Sequence, residues 1–226
     1  MAGRNRQSGM GNPSVRLVML GPPGAGKGTQ AERLARERGV PRISTGDILR
    51  EAVLKGSDVG KAARATMNAG RLVPDDVVIG IVRDRLVASD SGKGFVLDGF
   101  PRTLVQAETL EDLIDPRLPL VVVDIEVPED ILVQRLSRRL ICGTCGTTAV
   151  AAVTKCAKCG GALVQRSDDD LDVIRERLRV YAKDTQSIVE FYRRRPTFRS
   201  VDGDQTEDQV AADISSAIAS VEGIRR

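Results

Sequence analysis

Residues 15–20, VRLVML, form a short apolar run that breaks at GPPGAGKGT, residues 21–29. Beyond it, Ala31, Leu34 and Ala35 recur at helical spacing up to a stop at Gly39. A strand, a glycine loop and a helix in that order constrain the fold more than any other stretch of the chain. Glycines let the backbone curl so that successive N–H groups face one concavity. The helix start presents its positive end to the same point, and Lys27 adds a mobile charge for outer phosphates. Gly24, Ala25, Gly26, Lys27, Gly28 and Thr29 are therefore the candidate phosphate cradle. The competing reading, a Gly/Pro turn with a chance lysine, leaves the strand before and the helix after unexplained. One departure matters. The residue after Lys27 is Gly28, where the general pattern has Ser or Thr as a magnesium ligand, and Thr29 comes one place later. This puts a direct hydroxyl–metal bond in doubt, and magnesium is expected to be held mainly by phosphates and water.

The remaining chain alternates strand-like and helix-like segments. Short helices are predicted over 47–55, 57–69 and 75–88. Strands are predicted over 94–97 and 120–127, the latter apolar enough to be covered on both faces. A helix opens at Pro128 and runs to about residue 140. After a Cys/Gly-rich insert, 142–163, one long helix is expected over about 170–193, with Leu171, Ile174, Leu178, Tyr181, Ile188 and Tyr192 along one stripe. A strand at 198–201 and a helix capped by a Thr206–Gln209 box close the chain. Strands separated by helices imply an α/β fold, a parallel sheet with helices on both faces.

Composition narrows the chemistry. Of the 226 residues 41% are hydrophobic, enough for one sizeable core with small inserted lobes, and with 3% aromatics Val, Ile, Leu and Ala must fill it. The net charge is only +3, which argues against a general nucleic-acid or membrane-surface binder. Anionic ligands must then be met by locally clustered Arg and Lys. Histidine is absent, which removes imidazole from the catalytic options. No apolar run approaches membrane-spanning length. The opening residues, 1–14, are polar, Gly-rich and basic, read as a flexible extension without a secretory signal. A cytoplasmic location is the expectation, and with it reduced cysteines.

Those cysteines form two CxxC knuckles, Cys142/Cys145 and Cys156/Cys159, ten residues apart. Four thiolates brought together in a tetrahedron suit a structural zinc ion. An insert of about 22 residues is too small for its own core, so zinc would make it rigid. With four Cys ligands and no open position, the metal would not be catalytic. Redox CxxC chemistry, disulfides or a nucleic-acid-binding ribbon are the alternatives.

GPPGAGKGT (21–29), STGDILR (44–50), LDGFPR (97–102) and the Arg166…Arg177 stretch, in this order and rough spacing, resemble the adenylate kinase family, in its bacterial-type long form with a zinc-binding lid. The similarity covers about 15–221. It implies a three-layer P-loop nucleoside monophosphate kinase fold with a central parallel sheet. The core would be 15–43, 74–137 and 170–226. Residues 44–73 would be the helical AMP-binding lobe and 138–169 the zinc lid. On the AMP side the resemblance places Thr45, Arg50, Arg71, Leu72, Val73, Gly99, Phe100, Pro101, Arg102 and Gln106, joined by Arg166 and Arg177. On the ATP side it places the phosphate cradle with Arg135, Arg139 and, through its backbone, Gln205. The catalytic cations would be Lys27, Arg102, Arg139, Arg166 and Arg177, and Asp98 would hold magnesium-bound water. Asp168 and Asp169 match acids near the lid hinge. Structural alternatives stand beside several of these. Thr45 is also a plausible helix cap, and Thr103 with Gln106 a capping box. A buried structural acid is the competing reading of Asp98, and Asp168 and Asp169 read equally well as a helix-start cluster. Arg135 and Arg139, four apart on the Pro128 helix, would share a face.

The implied reaction is ATP + AMP = 2 ADP, by in-line transfer of the γ-phosphoryl group, in the service of adenine-nucleotide balance. Its requirements would be Mg²⁺ carried with ATP and a structural Zn²⁺. Its partners would be ATP, AMP and ADP, with no nucleic acid or membrane, and a monomer is the family expectation. The nearest alternative is a kinase for UMP or CMP, against which Thr45 and Gln106 argue. A non-catalytic nucleotide-binding or zinc-ribbon protein is the alternative from another class.

Overall fold

Strand β1 (Arg16–Leu20) becomes the middle of a five-stranded parallel sheet. Around it lie β2 (Arg42–Ser44), β3 (Phe95–Asp98), β4 (Val121–Glu126) and β8 (Phe198–Asp202), in the order β2-β3-β1-β4-β8. The computed structural model describes residues 15–149 and 153–222; the expected N-terminal extension lies outside them. Register pairs Met19 with Asp98 and Leu20 with Asp124, so two carboxylates flank the end of β1 where the glycine loop begins.

The strands are apolar on both faces because both are covered. Leu17, Met19, Val96, Val121, Val123 and Ile125 face a first layer of helices. That layer is α1 (Lys27–Arg38), α6 (Glu129–Ser137), α7 (Leu171–Val180) and α9 (Glu207–Glu222). Val18, Leu20, Leu97 and Val122 face the second layer, α4 (Asp75–Leu86), α5 (Leu104–Leu113) and α8 (Gln186–Arg193). Each fully buried Val, Leu or Ile contributes about 1.5–3 kcal/mol, which is how a chain short of aromatics is held together.

Local signals set the helix ends. α1 begins after Gly26, in the left-handed region at φ 91°, and ends at Gly39 at φ 66°. α2 (Thr45–Lys55) and α3 (Asp58–Asn68) form the small lobe beside the sheet. Ser44, not Thr45, caps α2, its Oγ accepting from the Asp47 N–H at 3.3 Å. The Thr206–Gln209 box closes as predicted: Thr206 N–H donates to Gln209 Oε1 at 3.1 Å and Gln209 N–H to Thr206 Oγ1 at 3.4 Å. The insert folds as a three-stranded antiparallel sheet of β5 (Leu140–Cys142), β6 (Thr148–Ala149) and β7 (Leu163–Gln165), with β5 central.

One expectation is corrected and another refined. The helix after Pro128 stops at Ser137, and Arg139 lies beyond it at the entry to β5. Arg135 and Arg139 therefore do not share a helical face. The expected long helix runs unbroken over 171–193 but carries one irregular turn, which divides it into α7 and α8. Between α7 and α8 one wide turn, 181–185, is closed by the Gln186 N–H donating to the Tyr181 carbonyl, five residues back. The two halves serve different layers: Ile174 and Leu178 pack in the first, and Ile188, Val189 and Tyr192 in the second. No helix among the described residues is long and apolar enough to cross a membrane.

Candidate functional site

The carboxyl ends of the strands open into a cleft of about 2010 Å³, at the place where ligands collect in open α/β sheets. Single-ligand pockets run to roughly 300–1,000 Å³, so this one has room for two nucleotides. The glycine loop forms its floor. Gly21 and Gly24 have φ of 132° and 88°. A Cβ on Gly21 would lie 2.6 Å from the Ile125 carbonyl oxygen, so the loop lies against β4 only because that residue has no side chain. Lys27 Nζ donates to the carbonyls of Gly21 and Pro22 at 2.7 and 2.8 Å. Enclosure by protein pushes the lysine down to about 7, with Asp98 opposing and Arg102, Arg177 and Arg139 reinforcing the fall.

The departure at Gly28 has a structural counterpart. A Cβ there would stand 3.3 Å from Arg42 Nη2 and 3.4 Å from Asp98 Oδ2, which pair at 2.7 Å. Arg42 also reaches Asp47 at 2.9 Å. Arg42 is the cleft cation that motif reading misses. A lone arginine in a three-residue strand carries no signal until β2 pairs with β3 and brings it diagonally across from Asp98. Asp98 Oδ1 has no protein partner among the described residues, which leaves it available to water around a metal ion.

The cleft arginines are held by acids. Arg50 pairs with Asp47. Arg166 forks onto Asp168 at 2.7 and 2.5 Å. Arg139 forks onto Asp169 at 2.7 and 2.5 Å, and Arg177 reaches the same carboxylate at 2.8 Å. Arg166 and Arg177 hold the Asp168 carboxyl far below the usual carboxylate range, against its own desolvation. Arg135 Nη2 donates to the Gly203 carbonyl at 3.0 Å. Gln205 spends its amide on the Asp202 carbonyl and Asp213. Of the five cations that the sequence assigns to catalysis, Lys27 and Arg102 are the two with no carboxylate within 4 Å among the described residues.

The 97–102 segment meets the small lobe directly. Thr45 Oγ1 donates to the Gly99 carbonyl at 2.8 Å. Arg102 Nε donates to the same carbonyl at 3.0 Å. The Phe100–Pro101 peptide is cis, and Phe100 is fully buried. Thr103 caps α5 through the Gln106 N–H at 3.2 Å. The Gln106 side chain does not complete the box. Its Oε1 accepts from the Arg102 N–H and its Nε2 donates to Asp75, both at 2.7 Å. Arg71, Leu72 and Val73 line the cleft on the lobe side. The lobe also touches the stem of the insert, where Ser167 Oγ donates to Asn68 Oδ1 at 3.2 Å.

The four cysteine sulfurs lie within 4.8 Å of one another. Cys142 and Cys159 are 3.4 Å apart and Cys145 and Cys156 3.6 Å, too far for S–S bonds of about 2.05 Å. Tetrahedral zinc with Zn–S of about 2.3 Å needs sulfurs about 3.8 Å apart, so the donor set fits that ion. Both knuckles use the same turn: Gly146 N–H donates to the Cys142 carbonyl at 2.9 Å, and Gly160 N–H to the Cys156 carbonyl at 2.8 Å. Hydrogen bonds from the Thr147 hydroxyl and backbone lower the Cys145 thiol, while the neighbouring sulfurs push the Cys159 thiol up to about 12, so the four thiols do not all ionise together without a cation among them. A Cβ on Gly161 would sit 2.5 Å from Thr144 Oγ1 and 2.8 Å from Cys142 Sγ, so the cradle closes only over glycine.

Residues 19–197 match the family model described as adenylate kinase. The chain is 44% identical over 215 residues to the adenylate kinase of Archaeoglobus fulgidus, covering 92% of this chain and 99% of the relative. It is 44% identical to that of Methanosarcina acetivorans, covering 91% and 99%. Against that of Symbiobacterium thermophilum it is 45% identical, covering 90% and 98%. The match spans the glycine loop, the small lobe, the cysteine insert and the cleft between them, and this chain belongs to the adenylate kinase family.

Proposed function

We propose that this enzyme transfers the γ-phosphoryl group of ATP to AMP, giving two ADP. The observation that carries the reading is that Lys27, at the glycine loop, and Arg102, at the small-lobe side, face one two-nucleotide cleft without carboxylate partners among the described residues. Bound phosphates supply the missing negative charge. ATP takes the glycine-loop side, with Gly24–Thr29 backbone groups and Lys27 on its phosphates and Arg135 and Arg139 along its flank. AMP takes the side of Thr45, Arg50, Arg71–Val73, Gly99–Arg102 and Gln106. Residues 44–73 and 138–169 act as the two closing lobes.

The attacking group is an AMP phosphate oxygen, already ionised, so no general base is required. The acceptor attacks the γ-phosphorus as its bond to the β-bridging oxygen breaks, and charge spreads over the transferred oxygens. Lys27, Arg102, Arg139, Arg166 and Arg177 stabilise that charge. One arginine acting on transition-state charge supplies about 10³–10⁵ in rate. For Arg139, Arg166 and Arg177 this requires sharing the phosphate with Asp168 and Asp169, which keep them aimed while the cleft is empty. Magnesium carried with ATP would supply charge neutralisation of the polyphosphate. With no hydroxyl at position 28, the chain's contribution to holding it is Asp98 Oδ1, through water. Cys142, Cys145, Cys156 and Cys159 would hold a zinc ion that keeps the lid rigid, and closure excludes water that would otherwise intercept the phosphoryl group. Thr45, its proton committed to Gly99, offers a base only acceptor capacity, which favours an amino group over a carbonyl. The same reading takes the enzyme as a cytoplasmic monomer acting on free nucleotides.

A coupled ADP-production assay comparing AMP, UMP, CMP and GMP as acceptors tests this. AMP should give the highest kcat/KM, and a UMP preference would sink the assignment.

A further inference from the structure

The wide turn between α7 and α8 lies at the mouth of the cleft, which Val180, Tyr181 and Thr185 line. Turns of this kind are rare inside helices and recur at functional sites. In a regular helix a threonine hydroxyl bonds back to the carbonyl four residues earlier. Here the corresponding carbonyl, that of Tyr181, is taken by the Gln186 N–H. Thr185 is buried, 7% exposed, and its hydroxyl donates instead to the carbonyl of Arg102 at 3.2 Å, 83 residues away in sequence.

Arg102 is thereby held at three points. Its carbonyl accepts from Thr185 at 3.2 Å, its N–H donates to Gln106 Oε1 at 2.7 Å, and its Nε donates to the Gly99 carbonyl at 3.0 Å. Its terminal nitrogens make no hydrogen bond or ion pair among the described residues. A guanidinium with its root fixed and its tip free is arranged to meet an anion.

We propose that Thr185 is a positioning residue for phosphoryl transfer, and that the wide turn serves to bring its hydroxyl onto the Arg102 carbonyl. The inference rests on the reading of Arg102 as a ligand of the acceptor phosphate. Thr185 acts through the arginine and needs no contact with substrate.

The test uses the full-length, zinc-loaded enzyme with AMP varied at saturating ATP. Thr185→Val keeps the shape and removes the donor, Thr185→Ser keeps the donor, and Thr185→Ala serves should the valine variant not fold. Loss of one such hydrogen bond corresponds to roughly 3–10-fold. Thr185→Val should lower kcat/KM for AMP by that factor, Thr185→Ser should stay within about twofold of wild type, and the KM for ATP should hold within about twofold. In an Arg102→Ala background, Thr185→Val should cost less than about twofold. An undiminished AMP kcat/KM in Thr185→Val, no rescue by serine, or the full loss persisting without Arg102 would each overturn the positioning role. Wild-type AMP kinetics in Arg102→Ala would instead overturn the reading of the site itself.

Discussion

Asp169 lies at the base of the zinc insert with its side chain fully enclosed, bridging two arginines that the proposed mechanism sends to the phosphates. Arg139 donates to it twice, at 2.7 and 2.5 Å, and Arg177 once, at 2.8 Å. The side chains are 0% exposed for Asp169, 18% for Arg139 and 16% for Arg177. Asp169→Ala would leave two largely enclosed guanidinia without that carboxylate. Arg177 would keep Asp168 at 3.3 Å, whereas Arg139 would have no ion pair left. Removing one partner of a buried ion pair costs about 3–5 kcal/mol, far more than the ~0–1 kcal/mol of an exposed pair. For a chain of 226 residues, each kcal/mol moves Tm by about 2–4 °C, so the melting temperature should fall by about 6–20 °C. Asp169→Asn keeps a carbonyl acceptor and should fall between. Differential scanning calorimetry of the zinc-loaded proteins reads the shift, and amide exchange over residues 138–180 shows whether opening is local to the hinge. If Asp169→Ala melts within about 2 °C of wild type and the hinge amides remain as protected, the carboxylate is not holding the two arginines, and the argument from burial fails.

Three further outcomes follow from the geometry. Nucleotide phosphates should return Lys27, lowered to about 7 in the empty cleft, to its charged form. ATP binding at pH 8, where phosphate groups with a pKa of about 6 are already ionised, should then take up about 0.5–0.9 proton per site. Affinity should weaken as pH rises above 7; calorimetry in buffers of different ionisation enthalpy measures the uptake, and less than ~0.2 proton refutes it. Asp124, 4% exposed with Oδ1 unpartnered, is raised from 3.8 to about 6, chiefly by desolvation and then by Glu126. Between those values the folded state binds the extra proton, so stability falls as pH rises through this window and stays lower above it. Asp124→Asn should therefore stabilise by about 3 kcal/mol at pH 7.5 and only about 0.5 kcal/mol at pH 4; urea titrations giving equal gains at both would count against the buried charge. Gly161→Ala should weaken zinc retention by about 10–100-fold, read by competition with a chromogenic chelator, and an unchanged competition curve would show that the cradle tolerates a Cβ.

What the chain declares in its sequence and what it withholds divide along the range of the interactions involved. The glycine loop is legible because its physics is local. Strand, loop and helix start are contiguous, and the positive φ of Gly24 and Gly26 is a property that only one residue type supplies cheaply. The cysteine knuckles are legible for the same reason, each being a four-residue turn whose hydrogen bonds repeat. Helix caps mostly follow, yet Ser44 takes the cap that Thr45 could have made, because Gly99, more than fifty residues on, claims the Thr45 hydroxyl. Arg139 drops off its helix for a comparable reason, its fork onto Asp169 coming from beyond the whole cysteine insert. The stripe from Leu171 to Tyr192 looks continuous at one period, but its two halves face different layers of the sandwich. No window of sequence can report which side of a sheet a helix will meet after crossing its edge. Arg42 and Thr185 belong to this second class, since each acquires its partner only when distant segments dock. Local motifs therefore mark the groups proposed to meet phosphate, while the residues proposed to aim those groups emerge only once the sheet is assembled. It is at such aiming residues, distant in sequence and paired through a single hydrogen bond or ion pair, that substitutions should change catalysis while every recognised motif remains intact.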